Sequence, residues 1–274
     1  MPRFLRFLLP ALLVLLPPVR GVADDLPIFD AHIHYSWPDW SVYPPEAALG
    51  ILDRAGVRWA MVSSTPDDGT LRLYEKAPAR IVPILRPYRS RNDMGTWTND
   101  PAILTYVEGR LQRGIYRWIG EFHLNAGEAD TAVVRGFVQL AIRRGIFLHA
   151  HTDAEGAEAL LRLDPKVQIL WAHAGMSASA ETTGRLLDRY PTLTVELALR
   201  YDVAPGGQLD PAWRNLFLRH PDRFMVGTDT WVTSQWDRLP EIQAGIRAWL
   251  RQLPREVAEK LAFKNAARLT KMTP

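Results

Sequence analysis

Residues 29–35 read FDAHIHY, an apolar segment with two histidines one residue apart, running out into a loop rich in aromatics and proline. Residues i and i+2 of a strand project from the same face about 6–7 Å apart. The imidazoles of His32 and His34 can therefore converge on one cation at about 2.0–2.1 Å. The same pair fits an ordinary hydrogen-bonded strand core. What separates the two is whether similar groups recur along the chain.

Working outward from this segment, short apolar runs fall at 27–34, 57–64, 80–87, 116–124, 145–152, 167–174, 192–199 and 223–229. Between them lie stretches with apolar residues three and four apart, such as Val134, Phe137, Val138, Ala141 and Ile142, the period of an amphipathic helix. Gly56, Gly114 and Gly145 each follow a helical pattern and precede a strand, where a left-handed cap suits glycine. Eight alternating units in 274 residues predict a single-domain α/β fold, the (β/α)8 TIM barrel. The open, doubly wound alternative needs a GxGxxG loop after an early strand, and there is none. Residues 254–271 read as a closing amphipathic helix.

In such a barrel the chemistry sits at the carboxyl ends of the strands. Six of the seven histidines fall there: His32 and His34 on the first strand, His123 with Glu121 on the fourth, His149 and His151 on the fifth, and His173 on the sixth. Asp229 ends the eighth. This recurrence favours a metal site over a chance pair. Asp229 fits a helix N-cap, or a metal ligand that also takes a proton from bound water. Glu121 fits a carboxylate satisfied within the barrel, or one that bridges two metals. On strand five the later residue, His151, is the expected ligand; His149 lies one layer deeper, supporting the site or packing in the core. His220, at a helix end before Pro221, reads as a solvated residue.

Composition bounds the partners. With 47% apolar and 23% charged residues the chain is globular. Arg3 and Arg6, the run LLPALLVLLPPV and the small residues Gly21-Val22-Ala23 predict a signal peptide over 1–23, leaving a domain at 24–274 and a periplasmic or secreted protein. Pro10, Pro17 and Pro18 interrupt a run too short to span a bilayer, so no stable membrane insertion is expected after cleavage. The leader carries Arg3, Arg6 and Arg20 and no acid; without it the formal charge of +3 disappears. Nothing then points to nucleic acid. Without cysteine there are no disulfides, and any metal is held by nitrogen and oxygen. The oligomeric state is not encoded in any feature of the sequence.

Taken in order, FDAHIH, WIGEFHL, HAHTD, WAHAG, GTD and the closing KNAARL resemble the amidohydrolase superfamily, in particular its amidohydrolase-related branch, over essentially the whole predicted domain. The resemblance implies that His32, His34 and Asp229 bind a first divalent metal, while His151 and His173 bind a second metal or the substrate oxygen. Glu121 then fills the position where relatives carry a bridging carboxylated lysine or glutamate. One or two ions follow, with zinc the expected identity. The implied reaction is hydrolysis of a small-molecule amide, ester, lactone or phosphoester by metal-activated water, with Asp229 moving the proton and His173 steadying the oxyanion. The same branch includes non-oxidative decarboxylases of aromatic acids, and a third possibility is a barrel that holds metal or ligand without turnover.

Substrate cues are fewer. Trp37 and Trp40, with Trp97, Trp231 and Trp236, lie on predicted mouth loops, where they either pack against the rim or form a platform for a ring. Arg86 and Arg200, ending strands three and seven, suit a substrate carboxylate or phosphate or a nearby acid.

Overall fold

The computed structural model describes residues 26–273; the expected signal peptide lies outside them. Eight parallel strands follow one another: β1 (Ile28–His34), β2 (Val57–Ser63), β3 (Ile81–Pro83), β4 (Trp118–His123), β5 (Phe147–His151), β6 (Ile169–Trp171), β7 (Leu193–Glu196) and β8 (Phe224–Met225). Ladders join β1 to β3 and β4 to β8 in sequence order. Two seams complete the ring. Leu85, just past β3, accepts from Gly120 N–H at 2.8 Å and donates to Trp118 O at 3.0 Å. On the other side Ala31 N–H donates to Val226 O at 2.9 Å, and Asp229 N–H to His32 O at 2.7 Å. The fold is a (β/α)8 barrel, as expected.

The helices α1 (Pro45–Arg54), α2 (Asp68–Lys76), α3 (Ala102–Leu111), α4 (Ala132–Arg144), α5 (Ala154–Leu163), α6 (Ala180–Arg189), α7 (Pro211–Arg219) and α8 (Gln235–Leu250) cover the outside. Side-chain oxygens of Thr131, Asp153, Ser179 and Asp210 accept from the first-turn N–H groups of α4 to α7, so the loops leading from the site into these helices are anchored at their far ends. Gly56, Gly114 and Gly145 take φ of 65°, 73° and 62°, the left-handed turn expected of them.

Apolar residues divide between two clusters. Ile28 and Ile33 join the main core, built with Leu52, Phe137, Leu161 and Phe217 from the helices. Phe29 and Ala31 belong to a smaller cluster with Trp59, Met61, Trp118, Leu170 and Met225, to which Ala266 and Ala267 of the closing segment contribute. That segment consists of α9 (Arg255–Glu259), one π turn (Lys260–Lys264) and α10 (Asn265–Thr270). Each fully buried Leu, Ile or Phe stabilises the fold by about 1.5–3 kcal/mol. Among the described residues no helix is long and apolar enough to cross a membrane.

β3, β6, β7 and β8 all stop well before the ends that the sequence suggests. β6 stops at Trp171 and β8 at Met225, so His173 and Asp229 sit in the turns beyond, both with left-handed φ, 55° and 53°. A tight turn redirects each side chain back over the barrel mouth, which a continuing strand would not do.

Candidate metal centre

Six donor groups from distant parts of the chain meet at the carboxyl end of the barrel. His32 and His34 project together from β1, with Nε2 atoms 3.1 Å apart. Asp229 Oδ1 lies 3.2 Å from His34 Nε2 and 3.7 Å from His32 Nε2. Glu121 Oε2, from β4, stands 3.2 Å from His34 Nε2. Its other oxygen faces His151 Nδ1 at 2.7 Å and His173 Nε2 at 3.4 Å. Glu121 thus spans two groups of imidazoles with one carboxylate.

The far side of three rings is fixed by the protein. His32 Nδ1 is 3.0 Å from Glu196 Oε1, His34 Nδ1 is 2.9 Å from Ser63 O, and His173 Nδ1 is 3.0 Å from Ala198 O. When neutral, each ring places its one hydrogen on Nδ1, and Nε2 presents a lone pair to the centre. The backbone takes part as well: Glu196 Oε1 accepts from His173 N–H at 2.7 Å, and Oε2 from Ala198 N–H at 2.7 Å.

Charge tells the same story. Glu121, Asp229 and Glu196 are all buried, and Arg86, with Nη2 2.9 Å from Glu121 Oε2, is the fixed cation among them. Burial alone would push the His32 imidazole down, but Asp229, Glu121 and Glu196 outweigh it and raise it well above the usual histidine range. Burial would likewise raise Glu121; the facing imidazoles of His32, His151 and His173 hold it well below the ordinary carboxylate range instead. With the histidines neutral, three carboxylates against one guanidinium leave a deficit that a divalent ion would match.

The donor spacing fits such an ion. Two ligand atoms each about 2.1 Å from one cation stand about 3.0–3.4 Å apart, the range of the His32–His34, His34–Asp229 and His34–Glu121 separations. His173 Nε2 and Asp229 Oδ1 are buried and lack a hydrogen-bond partner, as expected of atoms directed at a cation.

The amidohydrolase family model matches residues 114–270, a stretch that includes Glu121, His151, His173 and Asp229. The chain belongs to the amidohydrolase family. Among curated protein sequences there is no significant match. Solved structures with this fold include a probable 2-pyrone-4,6-dicarboxylic acid hydrolase from Acinetobacter baumannii (14% identity, 89% of this chain and 99% of that chain, TM-score 0.62). A TatD homologue from Escherichia coli K12 (17% identity, 90% and 98%, TM-score 0.64) and an amidohydrolase from Burkholderia multivorans (16% identity, 90% and 100%, TM-score 0.56) share it too.

In this amidohydrolase a cavity of about 550 Å³ opens above the donors, lined by Ser36, Thr65, Arg91, Met94, Met176 and Trp231 besides the site residues. Trp231 and Trp37 are exposed, whereas Trp97 and Trp236 are buried in the core and serve packing. Arg86 reaches the cavity but spends Nε and Nη2 on Glu121. Arg200 is turned away from the donors: its Nε and Nη2 hold Asp202, and Nη1 holds the carbonyls of His173 and Ala174, so it braces the turn that carries His173. His149 lies beneath the site, its ring centroid 4.6 Å from that of His32, with both nitrogens buried and unpartnered. Burial pushes that imidazole well down, so it is neutral. His220, at the end of α7, is partly buried and pairs with the exposed Asp188 at 3.0 Å.

Sequence reasoning missed Glu196. The signal was present, a carboxylate inside the otherwise apolar stretch TLTVELAL at 192–199, but the expected strand ran on to Leu199 and placed it in the middle, whereas β7 ends at Glu196.

Proposed function

We propose that this amidohydrolase is a metal-dependent hydrolase of a small amide, ester, lactone or phosphoester, with His32, His34, Asp229, Glu121, His151 and His173 holding one or two divalent cations, zinc first among them. The observation that carries it is the convergence of three Nε2 lone pairs and two carboxylates while each Nδ1 of His32, His34 and His173 is taken by the protein. When bound, the cation supplies Lewis acidity and a water acidified toward neutral pH. Asp229, low in pKa despite burial because His32 and His34 face it, accepts the proton of the attacking water and passes it to the leaving group. Glu121 shares its charge between the two histidine groups and is itself balanced by Arg86. His173 gives its Nδ1 hydrogen to Ala198 O, so as a neutral ring it offers a lone pair, suiting it to the cation rather than to an oxyanion.

The family supports hydrolysis, and the probable 2-pyrone-4,6-dicarboxylic acid hydrolase of similar fold makes a small cyclic ester one substrate to test first. Chelation should abolish turnover of the cognate ester or lactone, and zinc or manganese should restore it. Activity indifferent to chelation, with no metal found by elemental analysis, would sink the proposal; CO₂ release without hydrolysis would replace it by decarboxylation. The leader supports export, to be checked by sequencing the amino terminus of the secreted or periplasmic protein, which should begin at Asp24.

A further inference from the structure

A second cavity, of about 630 Å³, lies between the loop after β7 and helix α8, with Leu197, Val203, Val226, Ile242, Ile246 and Trp249 among its walls. Leu199 is common to its wall and to that of the cavity above the metal donors. We propose that Leu199 is a specificity-determining partition: it closes the metal pocket on this side, excludes substrates with a long apolar arm, and leaves the apolar chamber behind it out of their reach. The proposal rests on the hydrolase function above.

Three observations carry it. Leu199 has φ 59°, a left-handed conformation that disfavours a side-chain-bearing residue and persists only when its surroundings enforce it. Both chain neighbours are tied to the site: Ala198 accepts from His173 Nδ1 through its oxygen and donates to Glu196 through its N–H. Arg200 grips Asp202 and the carbonyls of His173, Ala174 and Ala178, and its guanidinium lies 4.6 Å from the Trp213 ring. The partition is therefore held in register with the metal donors. The wall beyond it is mixed, with Arg200, Asp202, Arg238 and Glu241 beside the larger apolar part, and it is that apolar part which suits an uncharged alkyl or aryl arm.

Leu199→Gly is the informative variant, because glycine accepts the observed φ without steric strain and removes the whole side chain. Leu199→Ala serves as a second variant should packing suffer. Two series are measured on the metal-loaded protein: hydrolysis of p-nitrophenyl esters from acetate to decanoate, and binding of alkyl hydroxamates of matching lengths by calorimetry. In the unmodified protein both kcat/KM and affinity should stop rising after the first few methylenes. In Leu199→Gly the ratio of long-chain to short-chain values should rise by about fourfold for each methylene seated in the chamber. The same length profile in both forms, within about twofold, overturns the partition while leaving the hydrolase function standing. A length-dependent gain in hydroxamate binding without hydrolysis of any ester supports the partition and retracts ester hydrolysis.

Discussion

His32 on β1 and Glu196 on β7 are joined across the barrel, Nδ1 to Oε1, at 3.0 Å. The carboxylate orients an imidazole that it cannot touch through any neighbour in sequence, and it also accepts the backbone N–H of His173. Glu196→Gln keeps the shape and loses the charge. Metal affinity should fall about 10–100-fold, as is typical when such an orienting partner is changed. Titration of the metal-free protein with zinc, followed by calorimetry, reads this directly; an unchanged affinity would remove Glu196 from the site.

Asp229 stands at φ 53°, where asparagine is tolerated better than most residues. Asp229→Asn should therefore fold normally while losing the proton acceptor. At saturating metal, kcat should drop by about 10²–10⁴-fold with a much smaller change in KM.

Gly120 has φ 144°, and a Cβ there would overlap the carbonyl oxygen and Cβ of His149. Neither obstacle is the flexible end of a side chain. Gly120→Ala should cost about 3 kcal/mol or more in stability, since strain and overpacking add at one position. Thermal denaturation should show a clear loss, and a variant as stable as the parent would contradict the packing around β4.

Away from the site, burial pushes the Asp67 carboxyl up to about 6, despite the hydrogen bond from Tyr116 and the nearby Arg110. A raised carboxylate pKa means that the folded state holds its proton more tightly than the unfolded one. No penalty applies below about pH 4; between about 4 and 6 it grows, reaching on the order of 3 kcal/mol above that window. Asp67→Asn should thus gain stability relative to the parent as pH rises from 4 to 7, and the difference in Tm between the two should vanish at the acid end.

Much of the barrel and of the candidate donor set was legible because both depend on local patterns. Alternation of apolar runs with helical periods located all eight strands, and the spacing of His32 and His34 on one strand already put both rings on one face. What was not legible depends on partners distant in sequence. Arg86 and Arg200 carry the same charge at similar strand ends, yet Glu121 binds the first, and the turn holding His173 engages the second. Trp97 and Trp231 both lie in predicted mouth loops, and only the packed structure separates a core residue from an exposed one. His173 and Asp229 were found by residue type, but their tight turns follow from backbone geometry that apolar patterning does not report.

The seam between β8 and β1 has a consequence for biogenesis. The bonds from Asp229 to His32 and from Thr230 to His34 tie the last unit of the barrel to the first, so the proposed metal centre is assembled only after nearly the entire polypeptide has been synthesised and brought full circle. On the proposed function a truncated chain would lack the centre, and turnover would report completed ring closure.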